Sequence, residues 1–108
     1  MVGLQLDPSI DRPEKHKPIQ TLEERFIMLQ AIKYIDEIMI YRTESDLYLL
    51  LDAVKPDIRI NGSDWEGKEF TGYDLNISHH FHQRTHHWST TELRDRIYKN
   101  ERDERKEI

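Results

Sequence analysis

The sequence predicts an α/β fold in which helices cover a parallel sheet, and three observations carry that expectation. Apolar residues alternate between strand-like and helix-like spacing several times along the chain. Two Ser/Thr-x-x-Glu patterns, Thr21 with Glu24 and Ser89 with Glu92, form capping boxes ahead of helical stretches. Turn and stop signals, Lys55-Pro56 and Asn61-Gly62, separate the periodic segments. The resulting order is strand, loop, helix, strand, helix, strand, loop, strand, helix.

Each element has a local reason. Val2 to Leu6 reads as a short strand, and the loop after it holds Pro8, Pro13 and Pro18, which lack the backbone donors a longer strand needs. Thr21 caps a helix predicted to run to about Tyr34, with Leu22, Phe26 and Leu29 on one stripe and Ile32 extending it. Asp36 to Tyr41 reads as a buried strand through Ile38, Met39 and Ile40. Thr43 or Ser45 caps the next helix, whose Leu47, Leu49, Leu50, Leu51 and Val54 give a wide apolar face. Ile58 and Ile60 alternate in a third strand, and a fourth falls within Tyr73 to Gln83. The last helix starts near Ser89. Residues 1–98 form the expected domain, and the charged tail 99–108, KNERDERKEI, is expected to be a solvated helix end or frayed terminus.

Composition narrows the function classes. The chain has 108 residues, no cysteine, 34% charged and 36% hydrophobic residues, as expected of one soluble domain. It offers no disulfide framework, and no apolar run approaches the roughly 20 residues that cross a bilayer. A cytoplasmic location without membrane insertion is the expectation. A formal net charge of −5 argues against a nucleic-acid partner but leaves room for a local anion site.

The segment Arg84 to Leu93, RTHHWSTTEL, has the makings of such a site. Backbone N–H groups at a helix start and the positive end of its dipole favour phosphate oxygens. Ser89, Thr90 and Thr91 add hydroxyls there, and Arg84 adds a forked, permanently charged donor. An ordinary N-cap beside a surface arginine is the competing reading.

Three segments together carry a family resemblance: KPIQTLEER (Lys17 to Arg25), NGSDWEGK (Asn61 to Lys68) and RTHHWSTT (Arg84 to Thr91). In order, spacing and setting they resemble the cytidylyltransferase family of nucleotidyltransferases, most closely glycerol-3-phosphate cytidylyltransferases, over Val2 to about Ile97. The resemblance implies a Rossmann-like fold and transfer of a cytidylyl group from CTP, with Mg²⁺, to a small phosphorylated alcohol such as glycerol 3-phosphate, releasing pyrophosphate. It implies catalytic roles for Lys17 and Arg84, and nucleotide binding by Asp64, Trp65, Arg84, Thr85, Ser89, Thr90 and Thr91. Asp64 and Trp65 would recognise or pack the base, and Arg25 would lie near the acceptor. Each has a structural rival: Lys17 as a solvated lysine, Arg25 as a helix ion-pair partner, Trp65 as a loop anchor packed on Phe70.

The resemblance also implies a histidine motif of the form His-x-Gly-His at the end of a first, central strand, and this chain contains no such motif. The sheet is therefore expected to be incomplete, with two unpaired inner edges where that strand would lie, between Val2–Leu6 and Asp57–Asn61. A truncated or split enzyme, completed by a complementing N-terminal segment or self-associating as a homodimer, is the expectation. Two further readings compete with it. One is a catalytically inactive nucleotide-binding or interaction protein. The other is a metal-binding protein built on the histidines of SHHFHQRTHHW, in which His80 and His82 share a strand face and meet a metal together with His86 or His87 from the following loop.

Overall fold

The computed structural model describes residues 1–85 and 88–107. Strand β1 (Val2–Gln5) leads through the proline loop to helix α1 (Leu22–Gln30), followed by β2 (Ile38–Tyr41), α2 (Glu44–Val54), β3 (Ile58–Gly62), a 3₁₀ turn (Ser63–Trp65), β4 (Ser78–His82) and α3 (Thr90–Glu107). The predicted order of elements is the observed one.

Local chemistry explains the boundaries. Thr21 Oγ1 accepts from the Glu24 N–H at 3.2 Å, and Glu24 returns the bond to the Thr21 N–H at 3.0 Å, so α1 begins with both halves of its capping box satisfied. It ends at Gln30, short of the predicted Tyr34. Ile32 and Ile35 bond back three residues instead of four, which tightens the chain for its return to the sheet, where Val2 N–H reaches Glu37 O at 2.9 Å. For α2 the cap is Thr43, paired reciprocally with Asp46. Lys55 closes that helix in the left-handed conformation, φ 50°, and Pro56 bars its extension.

The strands form two separate two-stranded parallel sheets. β1 pairs with β2 in the register Val2–Ile38 to Gln5–Tyr41, and β3 pairs with β4 from Ile58–Ser78 to Gly62–His82. This is an incomplete Rossmann-like α/β fold. No strand among the described residues joins β1 to β3, so each sheet keeps open edges.

Polar and apolar contacts through α2 link the two sheets. Leu51, the buried hydrophobic residue of the described chain, lies against Gly72. Gly72 has φ +83°, and an added Cβ there would sit 2.8 Å from Leu51 Cδ1, so both backbone and space require glycine. Thr71 Oγ1 donates to Glu44 Oε2 at 2.9 Å, and the Asp11 carboxylate accepts from the Glu44 N–H at 2.6 Å.

Burial is sparse elsewhere. The accessible surface is 9047 Å², against roughly 6,400 Å² for a compact monomer of this mass. The radius of gyration is 16.7 Å, where about 13 Å suits a compact chain of this length. On β3 the polarity is inverted relative to a packed strand. Ile58 and Ile60 stay 63% and 70% exposed, while Arg59 and Asn61 are covered. Helix α3 continues without interruption through the charged tail as far as Glu107, and its Leu93 and Ile97 remain exposed.

Candidate functional site

The carboxyl ends of the strands bring most of the chemistry-bearing residues to one side of the molecule. Within each sheet the strands are parallel, so their ends coincide. Arg12, from the loop after β1, reaches Trp65, from the turn after β3, which sets the two ends side by side. Open parallel α/β sheets bind ligands outside these ends.

The first group surrounds the start of α3. Ser89 Oγ accepts from the Glu92 N–H at 3.0 Å and so caps the helix that begins at Thr90. The guanidinium of Arg84 donates through Nη2 to the Trp88 carbonyl at 3.0 Å, one residue before the cap. Arg84, Thr85, Thr90 and Thr91 are exposed and Ser89 is half-buried. A helix dipole, a hydroxyl cap and a fixed cation thus converge on one exposed spot, an arrangement suited to an anion.

The second group gathers at the end of β1. Arg25 reaches back from α1 and donates to the carbonyls of Gln5 and Leu6, both at 2.6 Å, so its fork holds backbone instead of an ion-pair partner. Asp7 accepts from the Ser9 hydroxyl at 2.6 Å and the Ser9 N–H at 2.9 Å. Those bonds, with the nearby charges of Lys17 and Arg25, hold its carboxyl below the ordinary range. Lys17 itself is exposed.

The third group lies beyond β3. Trp65 is half-buried, with the Arg12 guanidinium 5.0 Å from its ring centroid, and Asp64 is exposed beside it. Phe70 packs edge-on against His79, Phe81 and Tyr73, so the loop-anchor role considered for Trp65 is filled by a different set of rings. No contact described joins the three groups into one closed pocket. A groove of about 470 Å³ is lined by Leu6, Ile40, Tyr41, Arg42, Leu49 and Leu50 with Asp46.

Arg12 and Arg59 went unnoticed in the sequence. Arg12 sits in a proline-flanked loop with no periodic signal, and nothing local ties it to a tryptophan far along the chain. Arg59 occupies a strand position next to two isoleucines, yet it turns inward to the Thr71 carbonyl and lies 5.5 Å over Phe70.

The histidine reading rests in part on residues outside those described. His80 and His82 share the exposed face of β4, while His79 faces inward, with its Nδ1 3.3 Å from Asn61 Nδ2. Among the described residues no three His, Cys, Asp or Glu side chains are grouped as a metal site, and His86 and His87 lie outside the described residues. No helix among those residues is long and apolar enough to cross a membrane.

Comparison with known proteins finds several similar chains. The chain is 36% identical over 76 residues to the bifunctional protein HldE of Wolinella succinogenes, a stretch covering 69% of this chain and 16% of that protein. It is 37% identical over 73 residues to HldE of Helicobacter hepaticus, covering 67% and 15%, and 28% identical over 103 residues to HldE of Aliarcobacter butzleri, covering 94% and 21%. The chain thus spans between 15% and 21% of the length of these relatives. No family model matches it. The relatives support the cytidylyltransferase superfamily, and they do not single out the glycerol-3-phosphate enzymes.

Proposed function

With relatives that point to the cytidylyltransferase superfamily, we propose that this chain supplies the triphosphate-gripping part of a nucleotidyltransferase site. The observation that carries the reading is the convergence of Arg84, the Ser89 cap and the N-terminus of α3 on one exposed spot. In the reaction, an oxygen of the acceptor's phosphate attacks the α-phosphorus of a nucleoside triphosphate. The bond from that phosphorus to the bridging oxygen breaks, and pyrophosphate leaves. Repulsion between the anions is the main obstacle, so catalysis rests on positioning and positive charge.

Arg84, Thr85, Ser89, Thr90 and Thr91 hold the β- and γ-phosphates in this reading, Lys17 offsets the charge of the acceptor phosphate, and Asp64 and Trp65 receive the base. Arg25 acts through the backbone it holds, fixing the end of β1 from which the Lys17 loop departs. In this reading a magnesium ion would be carried largely by the triphosphate, with few protein ligands of its own. Bound there, the ion would shield the phosphate charges.

The HldE relatives favour ATP as donor and a heptose phosphate as acceptor, in the manner of ADP-heptose synthesis, over CTP and glycerol 3-phosphate. In this reading a strand leading into a His-x-Gly-His turn, as the resemblance implies, would fill the gap between β1 and β3 when supplied as a separate segment.

The test is calorimetry with ATP and CTP, then a pyrophosphate-release assay with heptose phosphate and glycerol 3-phosphate, each with and without that segment. Arg84→Ala should weaken triphosphate binding about tenfold or more, the usual loss for a charge-assisted bond. If neither nucleotide binds once the segment is present, the proposal fails.

A further inference from the structure

We propose that Arg12 is a built-in competitor for the nucleobase, its guanidinium resting on the Trp65 face that the base would stack against. This inference rests on the assignment of Trp65 to the base in the proposed function.

The geometry is specific. Asp11 accepts the first backbone N–H of α2, from Glu44, at 2.6 Å, which pins the proline loop to that helix. The next residue, Arg12, turns toward β3, with Nη2 3.8 Å from Glu44 Oε1 and Cζ 5.0 Å from the Trp65 ring centroid. A guanidinium is planar and cationic, and it covers an indole face much as a heterocyclic base does. The two cannot occupy that face together.

The contact is also weak enough to yield. The Arg12–Glu44 pair is long, and the side chains remain 35% and 27% exposed, so solvent screens it. Glu44 has a second partner in the Thr71 hydroxyl, which keeps its carboxylate satisfied when the arginine leaves. Arg12 and Trp65 come from opposite sides of the break between the two sheets, so the contact also straps their carboxyl ends together. Base binding would trade that strap for a stacked ligand.

The experiment is calorimetric titration of the full chain with ATP and with CTP in the wild type, Arg12→Ala, Arg12→Lys, Trp65→Ala and the Arg12→Ala/Trp65→Ala pair, with circular dichroism confirming that each variant folds. Arg12→Ala should tighten binding about three- to thirtyfold, the combined range of one exposed cation–π contact and one screened ion pair. Arg12→Lys should fall between, since it keeps the charge without the planar surface. The gain should vanish in the double variant. Unchanged or weaker binding in Arg12→Ala, while Trp65→Ala weakens it, overturns the competitor role and leaves the base assignment standing. Equal binding in wild type and Trp65→Ala overturns the base assignment and the competitor with it. An absence of saturable binding by either nucleotide to Arg12→Ala also overturns the competitor.

Discussion

His79 shows how much one side chain can report about its surroundings. Its ring lies 4.9 Å from Phe70 and stacks near Phe81, with the Arg59 charge close by. Burial first, and that charge second, hold its pKa below the ordinary 6.5. The fold therefore favours the neutral ring. Its contribution to stability is complete above 6.5 and is lost as pH falls through the depressed value. Chemical denaturation at about pH 7 and about pH 5.5 should show stability declining toward the lower pH, and His79→Gln should flatten that decline. An equal decline in the variant would place the sensitivity elsewhere.

At the scale of elements, helix starts are the most strongly specified features of the chain. Thr21, Thr43 and Ser89 each accept a backbone N–H three residues on, and Glu24 and Asp46 complete two of the boxes. Loss of the hydroxyl in Thr21→Ala should lower stability by about 1 kcal/mol, measurable by urea denaturation. The same substitution has a second readout. Bonds from the Thr21 backbone and then its side chain hold the Glu24 carboxyl below its usual 4.5. Because alanine keeps the backbone donor, an NMR titration of the variant should find the carboxyl moved only part of the way back. Helix ends are less strongly written: α1 stops four residues early because its return to the sheet is set by the pairing of β1 with β2.

Across the whole molecule, the dominant feature is surface that the described chain does not cover. The area and radius both exceed those of a compact domain, and two-stranded sheets are marginal on their own in water. Ile58 and Ile60 present an apolar face beside open strand edges, a combination that invites pairing with another chain. Sedimentation velocity should show association that rises with concentration. Ile58→Lys/Ile60→Lys should shift the population to monomer with little change in circular dichroism. Retained association in that variant would place the contact surface elsewhere.

The sequence by itself determined the order of elements, the capped starts of its helices, the parallel α/β class and the exposed cluster at the start of α3. These follow from local rules, since periodicity and capping depend on residues a few positions apart. Only the tertiary structure decided that Arg25 holds the backbone of β1, that Arg59 and not Ile60 faces the covered side of β3, and that Arg12 lies on Trp65. Those outcomes depend on residues far apart in sequence meeting across two sheets. Alternation tells which residues share a strand face, and packing alone settles which face is covered.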